Sequence, residues 1–196
     1  MSDITLCILA AGASRRMPNH IKQLLPWKNT TLLGNAIAQA KQVTNSIVVV
    51  LGSNATQIKR VVPNDVLTLQ NSNWEAGMGN SISVAARHVL DSKKIVSGML
   101  IMLSDQPFID SMYLSELIAA FRHKKPKIVA TDYGLKLGVP AIFHFSLLAE
   151  LSELHQDFGA KDIIRKYKGE IIKISPNGKE VDIDTIKKYN QLIDNK

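Results

Sequence analysis

The chain has 196 residues, 45% of them hydrophobic and 21% charged. That balance excludes a disordered chain and suits a single domain over residues 1–196. One cysteine excludes a disulfide framework and a cysteine-cluster zinc site. The formal charge of +7 is uneven: residues 1–98 hold 10 Lys and Arg against 4 Asp and Glu, and residues 99–196 hold 14 against 13.

Residues 4–9 form a continuous apolar run, the pattern of a buried strand. Residues 10–31 are irregular and contain Gly12, Pro18 and Pro26. A helix is expected over 32–43, with Thr30 or Thr31 as its cap. A strand over 47–51, a short helix over 55–61 and a strand over 66–69 follow. After the glycine- and asparagine-containing segment 71–79 comes a helix over 80–90, then the strongly apolar strand 99–103. Ser111 is expected to cap a helix that runs to about Arg122. Strands are expected at 128–130 and 139–143, helices at 146–154 and 159–166, a strand at 170–174 and a last helix at 184–191. This alternation predicts an α/β fold: a Rossmann-like, three-layer α/β/α sandwich around a mainly parallel sheet. In such sheets ligands sit beyond the carboxyl ends of the strands.

The longest apolar stretch, 95–103, is too short to span a bilayer. Asp3 precedes the first apolar run and the arginines follow it, the reverse of a signal peptide, so a cytoplasmic location with no membrane partner is expected. The basic first half points to an anionic ligand or simply to a soluble basic surface. No Lys/Arg run is interleaved with aromatics, so nucleic acid is not an expected partner.

Three segments fall where ligands should bind. In the first, Leu9, Ala10, Ala11 and Gly12 lead from the first strand into Ala13, Ser14, Arg15 and Arg16, with Lys22 further on. Small residues let backbone N–H groups approach phosphate oxygens, and the cations add charge there. The other reading is a surface loop with solvated arginines, but a 20-residue stretch without regular structure is usually functional. In the second, Asp105 follows the most apolar strand, where a carboxylate suits Mg²⁺ or caps a turn before Pro107. In the third, Gly77 and Gly79 precede Asn80 and Ser81. The last two can bond a base or ribose, or the segment simply caps a helix. In 181–185, Asp182 and Asp184 share one face if extended, and either binds metal or caps the last helix. Cys7, inside the first strand, reads as core, and Trp27 and Trp74 as packing residues.

The run 9–17 followed by Lys22-Gln23-Leu24-Leu25-Pro26 resembles the opening signature of the MobA-like nucleotidyltransferases, most closely the molybdenum cofactor cytidylyltransferase type. The resemblance extends through Ser104-Asp105-Gln106-Pro107, Gly138-Val139-Pro140, Asp157-Phe158-Gly159-Ala160-Lys161 and Asp182-Ile183-Asp184-Thr185. It implies a fold of the nucleotide-diphospho-sugar transferase type and transfer of CMP from CTP to the phosphate of molybdopterin or molybdenum cofactor. By resemblance Gly12, Arg16 and Lys22 hold the triphosphate and Asp105 holds Mg²⁺, with Asp184 of the 181–185 segment as the candidate second ligand. Gly138, Pro140, Asp157, Gly159 and Lys161 fall on the acceptor side. The product would pass to an apoenzyme of the xanthine dehydrogenase type. Pro18 departs from the family pattern, which commonly has glycine there, and Asn80 stands where serine is common.

Overall fold

The computed structural model describes residues 4–92, 95–155 and 159–194. In chain order the elements are β1 (Ile4–Ala10), β2 (Pro26–Trp27), β3 (Thr30–Thr31), α1 (Leu32–Lys41), β4 (Ile47–Leu51), α2 (Ala55–Lys59), β5 (Leu67–Gln70) and α3 (Met78–Asp91). They continue with β6 (Gly98–Leu103), α4 (Ser111–Lys124), β7 (Ile128–Asp132), β8 (Leu137–His144), α5 (Leu148–Ser152), α6 (Lys161–Lys166), β9 (Ile171–Ile174) and α7 (Ile186–Asp194).

Seven strands make one sheet in the order β5-β4-β1-β6-β8-β7-β9. All its pairings are parallel except those of β8, which runs antiparallel to both β6 and β7. The alternation along β1 shows why the sheet is covered on both sides. Ile4, Leu6, Ile8 and Ala10 pack with residues of α1 and α4, including Leu33, Ile37, Tyr113 and Phe121. Cys7 and Leu9 pack on the other face with Ile82 and Val89 of α3, Leu148 and Leu151 of α5, and Ile163 of α6. Side chains of period two thus feed two separate helical layers, and the expected α/β/α sandwich results. Cys7 belongs to the core, and burial pushes its thiol up to about 12.

Cap chemistry fixes the helix starts. Thr31 caps α1, its side chain accepting from the Gly34 N–H. The cap of α4 is Asp110, which accepts from the Tyr113 N–H at 2.9 Å, so the expectation for Ser111 is off by one residue. A carboxylate at this position also complements the helix dipole. Lys179 holds the same carboxylate at 2.8 and 2.9 Å. Asp184 does not cap α7. Thr185 does, accepting from the Lys188 N–H at 3.2 Å.

A third cluster lies beyond the sheet. Met17, Leu25, Trp27, Leu32 and Ile183 are buried together, with Phe108, Ile186, Tyr189, Leu192 and Ile193 packed against them. Trp27 meets Phe108 edge to face, with ring centroids 5.5 Å apart. Tyr189 donates its hydroxyl to the Pro26 carbonyl at 2.7 Å. The segment 10–31, read as irregular, therefore contains a small hairpin, β2–β3, that seats its return path under α7. Ile183 is fully buried, worth about 1.5–3 kcal/mol of transfer free energy, which fastens the segment before α7 to the loop after β1.

Among the described residues, no helix is long and apolar enough to cross a membrane.

Candidate functional site

The loop after β1 is braced from behind. Gln23 is 2% exposed and donates both amide hydrogens, to the Ala10 and Gly12 carbonyls at 3.0 Å each. The Lys22 N–H donates to the Ser14 hydroxyl at 3.1 Å, and the Met17 N–H closes a turn onto the Ser14 carbonyl. Ser14 itself has φ 55°, an uncommon conformation for a residue with a side chain. These bonds turn the carbonyls inward and leave the opposite face of the loop open. A Cβ added to Gly12 would meet nothing within 4 Å. Pro18 opens the turn closed by His20 N–H on the Met17 carbonyl, with Asn19 at φ 66°. That turn suits proline at its second position, and Pro18 does not line the cavity described next.

A cavity of about 470 Å³ lies between this loop, the segment before α3 and the end of β6. One end is charged. The Lys22 Nζ donates to Asp105 Oδ2 and, at 3.3 Å, to Asp184 Oδ1. Arg16 reaches Asp184 Oδ2 at 3.0 Å. The tie between Lys22 and Asp105 is shielded, with side chains 16% and 15% exposed. Asp105 is placed by two backbone bonds: the Ser104 N–H on the Leu9 carbonyl, and the Ile183 N–H on the Asp105 carbonyl. Its Oδ1 is buried and has no hydrogen-bond partner among the described residues. A buried carboxylate oxygen left unbonded is costly, and a cation would satisfy it.

Asp182 does not share that contact. Its Oδ1 accepts from Gln106 Nε2 at 2.9 Å, and the same amide reaches the Tyr133 hydroxyl at 2.9 Å. Partial burial, then the Asp105 charge, push the Asp182 carboxyl above the usual carboxylate range. Burial pushes Tyr133 up to about 12, so at neutral pH its hydroxyl keeps the proton it donates to the Val139 carbonyl.

On the β5 side of β1 the lining comes from Leu9, Ala10, Ala11, Trp74, Gly77, Met78 and Ser81, with Glu75 adding one carboxylate. Gly77, at φ 106°, turns the chain from the short 3-10 helix Trp74–Ala76 into α3. Buried Asn71 ties this turn together, donating to the Ser81 hydroxyl at 2.9 Å and accepting from the Asn73 N–H at 3.0 Å.

The structure thus gathers Leu9, Ala10, Ala11, Gly12, Ser14, Arg16, Lys22, Gly77, Ser81, Asp105 and Asp184 around one cavity. Asn80 is not among its lining residues. Of the expected acceptor residues, Gly138, Pro140, Gly159 and Lys161 are not among its lining residues. Gly138 lies beside the Tyr133 ring, and Pro140 is buried with its carbonyl held by the Thr131 hydroxyl. Gly159 faces Met78 at the cavity's lip, and Lys161 is exposed on α6. Asp157 lies outside the described residues. Sequence reasoning missed Gln23, Gln106 and Asn71 as bracing amides, since no periodicity marks a buried amide that bonds distant backbone.

The model of the MobA-like NTP transferase domain matches residues 6–171. This chain belongs to that family. Nicotine blue oxidoreductase of Paenarthrobacter nicotinovorans is 28% identical over 97% of this chain and 96% of its own. Molybdenum cofactor cytidylyltransferase of Escherichia coli is 31% identical over 43% of this chain and 45% of its own. Among solved structures, Rv0371c of Mycobacterium tuberculosis superimposes with a TM-score of 0.83 at 26% identity, covering 98% of both chains. A manganese complex of Rv0371c has a TM-score of 0.78 at the same identity and coverage. The fold is that of the nucleotide-diphospho-sugar transferases, and the activity of this MobA-like domain is of the nucleotidyltransferase kind. The family model ends before Asp182 and Asp184, so the charged end of the cavity is completed from beyond it.

Proposed function

We propose that the protein transfers CMP from CTP to the terminal phosphate of molybdopterin or molybdenum cofactor and releases pyrophosphate. The observation that carries this reading is the single cavity that has an open, small-residue loop on one side and Lys22, Arg16 and Asp105 at one end. An oxygen of the acceptor phosphate forms a bond to the α-phosphorus, and the bond from that phosphorus to the leaving pyrophosphate oxygen breaks. The attacking phosphate is already an anion, so the protein needs no strong base there. Its work is positioning and charge neutralisation. The loop N–H groups from Ala11 to Ser14 face the phosphates, and Lys22 and Arg16 offset the charge that gathers on pyrophosphate.

The donor set also fits a divalent cation. Asp105 and Asp184 are oxygen donors, and Asp105 Oδ1 has an unspent lone pair. When bound, Mg²⁺ would polarise the phosphates and orient the leaving group. Two carboxylates with the remaining positions left to phosphate and water match how Mg²⁺ is usually held. We read residues 1–196 as one functional unit because Asp184 enters the cavity from the C-terminal segment. Delivery of the product to an apoenzyme of the xanthine dehydrogenase type belongs to the same reading.

The test is pyrophosphate release from CTP, GTP and ATP with Mg²⁺, with and without molybdenum cofactor. Acceptor-dependent release from CTP alone is the expected result. The likeness to nicotine blue oxidoreductase, which covers more of the chain than that to the cytidylyltransferase, favours a second reading in which the cavity serves another acceptor or reaction. The position of Pro140 and Lys161 outside the cavity points the same way. Isoprenoid and sugar phosphates therefore join the panel. Release with one of those phosphates, and none with molybdenum cofactor, would replace the first reading.

A further inference from the structure

One wall of the cavity is aromatic and held in place by an unusually close backbone approach. Trp74 stands at the start of the short 3-10 helix before α3 and lines the cavity on the β5 side of β1. Its position depends on Gly52, just after β4. A Cβ on Gly52 would lie 2.5 Å from the Trp74 Cβ, 2.7 Å from the Ala11 carbonyl oxygen and 2.8 Å from the Ala11 Cβ. None of these distances is tolerable, and two of the atoms belong to Ala11 of the loop after β1. Gly52 is therefore the spacer that lets Trp74 come down against that loop. The Ser53 N–H donates to the Ala11 carbonyl at 3.0 Å and ties the turn after β4 to the loop after β1.

A second feature belongs to the same side. Ser81 is 4% exposed and lines the cavity. Its oxygen accepts from the Asn71 amide, and Asn71 is in turn committed to the Asn73 N–H. With that lone pair used, the hydroxyl hydrogen of Ser81 is the unspent group. A buried donor hydrogen and a half-buried indole lining one cavity suit a flat ring with an acceptor on its edge.

We infer that Trp74 is the stacking wall for the nucleobase, that Gly52 positions it, and that Ser81, polarised by Asn71, donates to the base edge. This deepens the nucleotide reading above and rests on it. Base–aromatic stacking costs about 5- to 150-fold in affinity when the ring is removed, the equivalent of about 1–3 kcal/mol.

The experiment compares binding of CTP with binding of inorganic tripolyphosphate, which carries the phosphates but no base, by calorimetry with Mg²⁺ present. Trp74→Leu keeps an apolar side chain but removes the ring. It is expected to weaken CTP at least fivefold while tripolyphosphate changes less than twofold. Trp74→Phe keeps a ring and should bind CTP within a few-fold of wild type. Gly52→Ala should follow Trp74→Leu. Intrinsic fluorescence gives an independent readout: Trp27 is fully buried in the third cluster, so CTP should alter emission from Trp74 and tripolyphosphate should not. Thermal melting checks that each variant folds, and Trp74→Phe keeps the test decisive if Gly52→Ala does not. Unchanged CTP affinity in Trp74→Leu, or equal losses for CTP and tripolyphosphate, would overturn the stacking role. If the wild-type protein binds neither compound, the nucleotide reading itself falls, and this inference with it.

Discussion

Replacing Lys22 with methionine tests the charged end of the cavity most directly. Methionine keeps the length and apolar stem but removes the ammonium shared by Asp105 and Asp184. The Asp105 contact is mostly shielded from water, and a hydrogen bond between charged groups in such a place is worth about 1.5–3 kcal/mol. The Asp184 contact is longer and its carboxylate 39% exposed, so it adds about 0–1 kcal/mol. The expected loss is about 2–3 kcal/mol, which for a chain of this size lowers Tm by about 5–10 °C. The loss comes largely from stranding the Asp105 carboxylate, which already has one unbonded buried oxygen. Two recoveries should follow. Millimolar Mg²⁺ or Mn²⁺ should restore part of the stability of Lys22→Met and do less for the wild type, because a cation then fills the place of the ammonium. Adding Asp105→Asn to Lys22→Met should also recover stability, which a double-mutant cycle in urea would read. A loss under about 0.5 kcal/mol, or no response to either remedy, would show that Lys22 and Asp105 are not a coupled pair.

Three further outcomes follow from particular contacts. Gly12→Ala should melt within about 1 °C of wild type, because its Cβ meets nothing, yet should weaken CTP binding by intruding on the open face of the loop; calorimetry reads both effects. Ile183→Ala should cost about 2–4 kcal/mol by opening a void beneath Trp27, and limited proteolysis should then cut the segment between Lys179 and Ile186. Asp182→Asn should stabilise the protein slightly at pH 7, since the native carboxyl is raised and its ionisation disfavours the fold; Asn still accepts from Gln106. A raised carboxyl binds more protons folded than unfolded, so wild-type stability from this group is present below the unfolded value and lost as pH rises through the folded one. The advantage of Asp182→Asn should therefore vanish in acid below about pH 3.9, and urea midpoints at pH 3 and pH 7 test it.

Local pattern was enough for much of this architecture. The apolar runs 4–9, 47–51 and 99–103 appear as the central strands, and the loops after the first and last of these frame the cavity. Lys22, Arg16, Gly12 and Asp105 were also legible, because cations, a glycine and a carboxylate stood at strand ends where parallel sheets bind ligands. The reach of that argument is short. The strand expected at 139–143 looked like any other apolar run, and its antiparallel direction depends on its pairing with β6 and β7. Residues 10–31 showed no period because a hairpin of two-residue strands is too short to carry one.

What the sequence by itself determined is the set of elements and the chemistry available at their ends, since hydrophobic period and residue type act over a few positions. Only the tertiary structure decided which groups meet. Asp184 joins Lys22 across 162 positions, Gln23 folds back onto the Ala10 and Gly12 carbonyls, and Gly52 makes room for Trp74. Those encounters depend on how sheet, loops and the C-terminal segment pack, where side-chain volume and hydrogen-bond satisfaction act between residues that no local pattern connects.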